Sequence, residues 1–194
     1  GRVLVHSVAA SNGEKMLWIR AVDEPEARPL AGTEGATYPF WSPDNKSIGF
    51  FAHGNLKTVS REGGSPATLA TASNGLGGAW NQDGTIIFAP HPYAPIFRVS
   101  SAGGGAFPIT SLDTTRKESS HRWPYFLPDG KHFLFLARTI YAGLRAEAEA
   151  LYVQPIESGK RKMVEYTSNN AAFAAGFLFT CTNGTLLAHS FDTS

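Results

Sequence analysis

Apolar residues along this chain come in short runs separated by polar stretches rich in Gly, Pro, Asn and Asp. Ile48-Gly49-Phe50-Phe51, Ile86-Ile87-Phe88 and His132-Phe133-Leu134-Phe135 are three such runs, and none keeps a helical period. Short runs with β-branched and aromatic residues, bounded by turn formers, predict strands.

The runs recur with their surroundings. Trp41-Ser42-Pro43-Asp44-Asn45 precedes the first, Trp80-Asn81-Gln82-Asp83-Gly84 the second, and Phe126-Leu127-Pro128-Asp129-Gly130 the third. A second series runs through Leu17, Leu56, Ile96 and Leu151. Asp44 to Asp83 is 39 residues and Asp83 to Asp129 is 46; Leu17 to Leu56 is 39, Leu56 to Ile96 is 40 and Ile96 to Leu151 is 55. A period near 40 with four short strands per unit predicts propeller blades, so the fold class is all-β.

With strands a to d counted outward from the centre, the first blade keeps b, c and d at 2–8, 15–22 and 27–31. The second reads 37–42, 47–52, 55–60 and 66–70. The third reads 75–80, 84–89, 95–100 and 106–110, and the fourth 121–127, 131–138, 149–155 and 161–166. The last has a, b and c at 170–174, 176–181 and 185–190. The expected units are a partial blade 1–32, blades 33–71 and 72–111, an expanded blade 112–168 and a partial blade 169–194. This is an open arc of about four to five four-stranded antiparallel blades. The chain opens Gly1-Arg2 in a strand-like run, and the expectation is a fragment of a larger ring with apolar wedge residues exposed at its ends.

The repeated residues have architectural reasons. Asp44, Asp83 and Asp129 are placed to accept backbone N–H groups in the a–b turns. Gly84 and Gly130 supply a positive φ there, with Asn45 as substitute. Trp41, Trp80 and Phe126 end inner strands, where a large ring fills the space between blades. Repetition across blades argues for scaffold rather than catalysis.

Composition narrows the function. The 194 residues carry a net charge of +1 and only 17% charged residues, with no basic stripe that would track nucleic acid. Lys160-Arg161-Lys162 reads as a solvated turn. Cys181 is the single cysteine, so no internal disulfide or cysteine metal site forms; its alternating apolar run reads as a buried thiol. The six His are scattered and none pairs at zinc-ligand spacing, so no metal and no cofactor is expected. No apolar run is long enough to insert in a membrane.

Tyr38-Pro39-Phe40-Trp41-Ser42-Pro43-Asp44-Asn45-Lys46-Ser47-Ile48-Gly49-Phe50-Phe51 resembles the TolB-type, WD40-like β-propeller repeat. Trp80-Asn81-Gln82-Asp83-Gly84-Thr85-Ile86-Ile87-Phe88-Ala89-Pro90, Ser120-His121-Arg122-Trp123-Pro124 and Gly184-Thr185-Leu186-Leu187-Ala188 are similar to the propeller region C-terminal to some bacterial serine/threonine protein kinase domains. That resemblance implies a sensor or protein-interaction module on a signalling enzyme. It further implies a membrane-anchored parent, with the propeller outside the cytoplasm.

No chemistry of its own is expected. The chain has no kinase catalytic loop and no Asp-Phe-Gly. Gly75-Leu76-Gly77-Gly78 precedes a strand rather than a helix and reads as a d–a loop, not a phosphate loop. Propellers of the TolB type that cap serine peptidases carry their triad on a separate hydrolase domain. The alternative reading is therefore an enzyme's propeller, a peptidase gate or a channel-site propeller.

Two insertions break the period, both in the fourth blade: 111–120, leading into it, and 139–150, its b–c loop. In a propeller these loops emerge on one face. Arg116, Lys117, His121, Arg122, Trp123 and Arg145 form the candidate patch for a protein or peptide partner. The stretch 144–150 has helix-favouring composition.

Overall fold

The structure, a computed structural model, describes residues 2–141, 143, 148–157, 159–182 and 184–192. Its strands form five antiparallel sheets arranged as the blades of a propeller. The first is β1 (Val3–Ala9), β2 (Lys15–Ala21) and β3 (Arg28–Pro29). The second is β4 (Thr37–Trp41), β5 (Ser47–Ala52), β6 (Asn55–Ser60) and β7 (Ala67–Thr71). The third is β8 (Gly78–Trp80), β9 (Thr85–Phe88), β10 (Phe97–Ser100) and β11 (Phe107–Pro108). The fourth is β12 (Ser120–Phe126), β13 (His132–Arg138), β14 (Ala150–Pro155) and β15 (Lys162–Tyr166). The fifth is β16 (Ala171–Ala174), β17 (Phe177–Thr182) and β18 (Thr185–Ser190). Within each sheet the strands follow chain order. No described helix is long and apolar enough to cross a membrane.

The unbroken apolar runs are explained by burial on two sides. β5, β9 and β13 are buried almost throughout, with alternate residues entering opposite wedges. Phe50 packs with Leu17 and Leu30 of the first sheet, whereas Phe51 packs with Phe88 of the third. Ile87 packs with Phe133 and Phe135 of the fourth sheet, and Leu134 with Leu178 of the fifth. Each such side chain contributes roughly 1.5–3 kcal/mol. The four buried clusters thus correspond to the four spaces between consecutive sheets.

β17 shows what happens where only one side is covered. Leu178, packed with the fourth sheet, and Thr180 are buried, while the positions between and beside them are more exposed. Cys181 is therefore exposed, not the buried thiol its apolar neighbours suggest. Leu4 and Leu186 are exposed in the first and last sheets.

The a–b turns are built as expected, with one substitution of parts. Asp44 Oδ1 accepts from Ser42 Oγ at 2.7 Å and from Lys46 N at 3.1 Å, and Asp129 Oδ1 accepts from Lys131 N at 2.9 Å. In the third blade the acceptor is Asn81 rather than Asp83. Its Oδ1 takes the amides of Asp83 at 3.1 Å and Thr85 at 2.9 Å, and its Nδ2 donates to Gly130 O in the next blade. Asn81 is buried and can satisfy both ends of its amide there. Asn45, Gly84 and Gly130 have φ of 57°, 77° and 64°, as the turns require.

Gly75-Leu76-Gly77-Gly78 is a seat for aromatic rings. A Cβ on Gly75 would lie 2.0 Å from Phe51 Cδ1, and one on Gly78 would lie 2.6 Å from Phe40 Cε1. These glycines exist for close approach, and no helix follows that could hold a phosphate.

Candidate functional site

The two insertions of the fourth blade meet. Ser119 N and Oγ both donate to Arg138 O, at 2.7 and 3.1 Å, and Arg138 Nε donates to Glu149 Oε1 at 3.1 Å. Thr139 N reaches the same oxygen at 3.4 Å. The b–c insertion is thus tied to the loop that leads into the blade. Arg145 and most of the helix-favouring stretch lie outside the described residues.

The leading loop, 111–119, is wound around Asp113. Asp113 Oδ1 accepts from Thr115 N and Oγ1 at 2.9 and 2.6 Å, and Glu118 N donates to Asp113 O at 3.0 Å. Lys117 stands at φ 57° on the exposed crest. The turn delivers the Glu118 carboxylate inward, where its side chain has no solvent exposure.

Glu118 closes a polar clasp inside the wedge. Arg161 Nη1 and Nη2 donate to its two oxygens at 2.9 and 2.8 Å, and Asp113 N donates at 2.8 Å. His121 Nε2 lies 3.1 Å from Oε2. The Glu118 carboxylate can only accept, which assigns the proton of the neutral His121 to Nε2; Nδ1 then accepts the Thr110 hydroxyl at 2.7 Å, and Thr110 Oγ1 accepts Ile96 N–H at 2.8 Å. Burial holds the His121 pKa below its ordinary value against the pull of Glu118, so the imidazole is neutral at pH 7. Burial alone would raise Glu118, but hydrogen bonds from His121 and Arg161 outweigh it and hold the carboxyl below its usual value. His121, Phe135, Tyr152 and Arg161 stack in sequence across the blade: ring centroids are 4.6 and 5.7 Å apart, and the guanidinium sits 4.2 Å over Tyr152.

This arrangement corrects three sequence expectations. His121 is fully buried and contacts no partner from the surface. Arg116 is half-buried against Tyr166, its guanidinium 5.8 Å from the ring, rather than free on the face. Arg161 is no solvated turn residue; its long stem spans the wedge while Lys160 and Lys162 stay exposed. The Thr110–His121–Glu118 chain has the outline of a nucleophile relay. Thr110, however, repeats the part of Thr33, whose Oγ1 accepts Leu17 N–H at 3.0 Å in the first blade. It is a brace between strands.

The other half of the expected patch lies toward the centre. Trp123 has φ 49° and Tyr38 has φ 48°, at equivalent places in β12 and β4, each followed by Pro, and at each the pairing shifts register. Gly77, with φ 95°, is their counterpart in the third blade; a Cβ there would lie 3.0 Å from Trp123 Cδ1. Trp123 N donates to Leu76 O at 3.0 Å, which pins the bulge to the third blade. Arg122 Nε donates to Ser120 Oγ at 3.0 Å, and the guanidinium lies within electrostatic reach of Tyr38 and Tyr93. Tyr38 is 45% and Tyr93 64% exposed. Arg122 and Trp123 are therefore brought together, with Tyr38 and Tyr93 beside them. Sequence reading missed both tyrosines, since each stands outside the fourth blade. The shared aromatic-Pro pair was the available signal for Tyr38.

Two TolB proteins share this architecture. That of Agrobacterium tumefaciens superposes with a TM-score of 0.71 at 16% identity, over 84% of this chain and 61% of its own. That of Acinetobacter baumannii superposes with a TM-score of 0.69 at 15% identity, over 94% of this chain and 49% of its own. The fold is a TolB-type propeller. The chain spans about half to three-fifths of those two proteins. The propeller domain of the Trilobed protease from Pyrococcus furiosus, with open velcro topology, matches over 100% of this chain and 80% of its own, with a TM-score of 0.53 and 13% identity. No protein-family profile and no curated protein matches the chain.

Proposed function

We propose that this TolB-type propeller is a non-catalytic binding module that holds a protein or peptide partner on the face bearing Tyr38, Tyr93, Arg122 and Trp123. The observation that carries the reading is the pair of strained aromatics. A bulky residue at φ near +50° is an outlier, costing of order 1–3 kcal/mol, and such strain collects at binding sites. Here it occurs twice, at equivalent bulges, and bulges re-aim side chains. The kinase-associated phrases in the sequence support placing such a module beside a signalling enzyme. The Pyrococcus propeller supports the alternative of an enzyme's accessory domain.

The test is selection of displayed peptides on the immobilised chain, followed by hydrogen-exchange footprinting of those enriched. Protection confined to residues around 38, 93 and 122–123 is the expected result. Failure to enrich any peptide, or a footprint on the a–b turns instead, overturns the reading.

A further inference from the structure

We propose that the segment bound on this face presents a carboxylate, and that Arg122 receives it; this rests on the binding-module reading above. Arg122 is half-buried, yet among the described residues it forms no ion pair. Its hydrogen bonds go to Ser120 Oγ at 3.0 Å and, at 3.5 Å, to Pro92 O, both neutral. The full charges that act on it are Arg138 and Glu149; Glu149 Oε1 is engaged by Arg138, and its Oε2 is buried with no hydrogen bond to Arg122. The group of three thus holds two positive charges and one negative. Every other buried or half-buried arginine among the described residues of the fourth blade has a built partner: Arg138 has Glu149, Arg161 has Glu118, and Arg116 has Tyr166.

A half-buried guanidinium is costly to leave without an anion, and its planar fork matches a carboxylate. Tyr38 and Tyr93 flank it with exposed rings and hydroxyls, and Trp123 follows it in the strand. The chemistry they select is an extended chain with an acidic side chain or terminus next to an apolar group. The a–b turns, with Lys46 between β4 and β5, lie at the other end of the strands.

The probe is a fluorescein-labelled, C-terminally amidated hexapeptide of alternating leucine and glutamate, compared by anisotropy with its equally amidated glutamine counterpart at low salt. The glutamate peptide should bind the whole chain at least tenfold more tightly. Arg122→Met should abolish that preference, and Lys46→Met, on the opposite face, should retain it. In the unaltered chain the Arg122 Nε–H resonance should shift on adding the glutamate peptide, a readout independent of whether R122M folds. Equal affinities for the two peptides, an unmoved Arg122 resonance, or an undiminished preference in folded R122M overturns the proposal. Enrichment of neutral peptides with a footprint on this same face would overturn the carboxylate while leaving the module reading standing.

Discussion

The space between the second and third sheets is filled by rings on glycines; the space between the third and fourth is closed by a carboxylate. In the first, Phe40, Phe51, Phe88 and Phe97 form a ladder with successive centroids 6.3, 6.5 and 6.1 Å apart, and the buried cluster contains no titratable group. In the second, an apolar cluster of similar make-up is overlaid by Glu118, His121 and Arg161. The apolar wedge draws its stability from area and fit. The polar one adds direction, since its hydrogen bonds tolerate one arrangement of the leading loop. That loop is what carries the chain into the bulge at Trp123, so the clasp orients the proposed binding face as well as joining two blades.

Breaking the apolar wedge should have the largest effect. Phe51→Ala is expected to cost about 4 kcal/mol in denaturant unfolding, and Gly75→Ala about 3 kcal/mol by overpacking. In the double variant the second change should cost little, because the ring that a Gly75 Cβ would strike is gone; full additivity would mean that the two do not touch.

Breaking the clasp comes next. Glu118→Ala leaves Arg161 without its carboxylate and is expected to cost about 3 kcal/mol. Replacing Glu118 and Arg161 together by methionine should recover most of that loss. If the double variant is as weak as the single one, the pair supplies more than mutual compensation.

The two wedges should separate cleanly by pH. His121 and Glu118 both have pKa values held down in the folded state, so the unfolded chain binds their protons first. Their contribution is complete above the ordinary histidine value of about 6.5 and is lost as pH falls, first through His121 and then, below the ordinary carboxylate range near 4.3, through Glu118. His121→Gln should remove the decline between pH 7 and 5. Phe51→Ala should lower the whole profile without changing its slope. A His121 variant that kept the wild-type slope would show that the imidazole is not buried neutral.

The smallest contrast lies within one turn. Asn81→Ala should cost about 1–2 kcal/mol, for a buried side chain with three hydrogen bonds, whereas Asp83→Ala should stay within about 0.5 kcal/mol. Equal effects would restore the repeated aspartate to the role its spacing suggests.

These residues also mark the limits of what the sequence discloses. The blades were legible because a 40-residue period and two-sided burial both leave local marks: Ile86-Ile87-Phe88 cannot alternate when both faces are covered. The positive φ at Asn45, Gly84 and Gly130 was legible for the same reason. Asn81 was hidden because either of two positions in the turn can serve as acceptor. Arg161 was hidden because basic runs are usually solvated, and only the fold shows that one stem lies over Tyr152. The division of the candidate patch into a buried clasp and an exposed ledge was not legible at all. It depends on Thr110, Pro92 and Gly77, which the third blade contributes across the wedge.

The clasp also has a direction in time. Glu118 and Arg161 are separated by 43 positions, so the bond between them cannot form until most of the fourth blade has left the ribosome. The Phe40 and Phe51 rings, by contrast, find their glycine seats in the next few dozen residues synthesised. A nascent chain would therefore settle its second and third blades first and hold the Glu118 carboxylate without its guanidinium until Arg161 arrives. During that interval the proposed binding face would lack the clasp beneath it, and any partner it takes would meet the finished ledge only once the blade is whole.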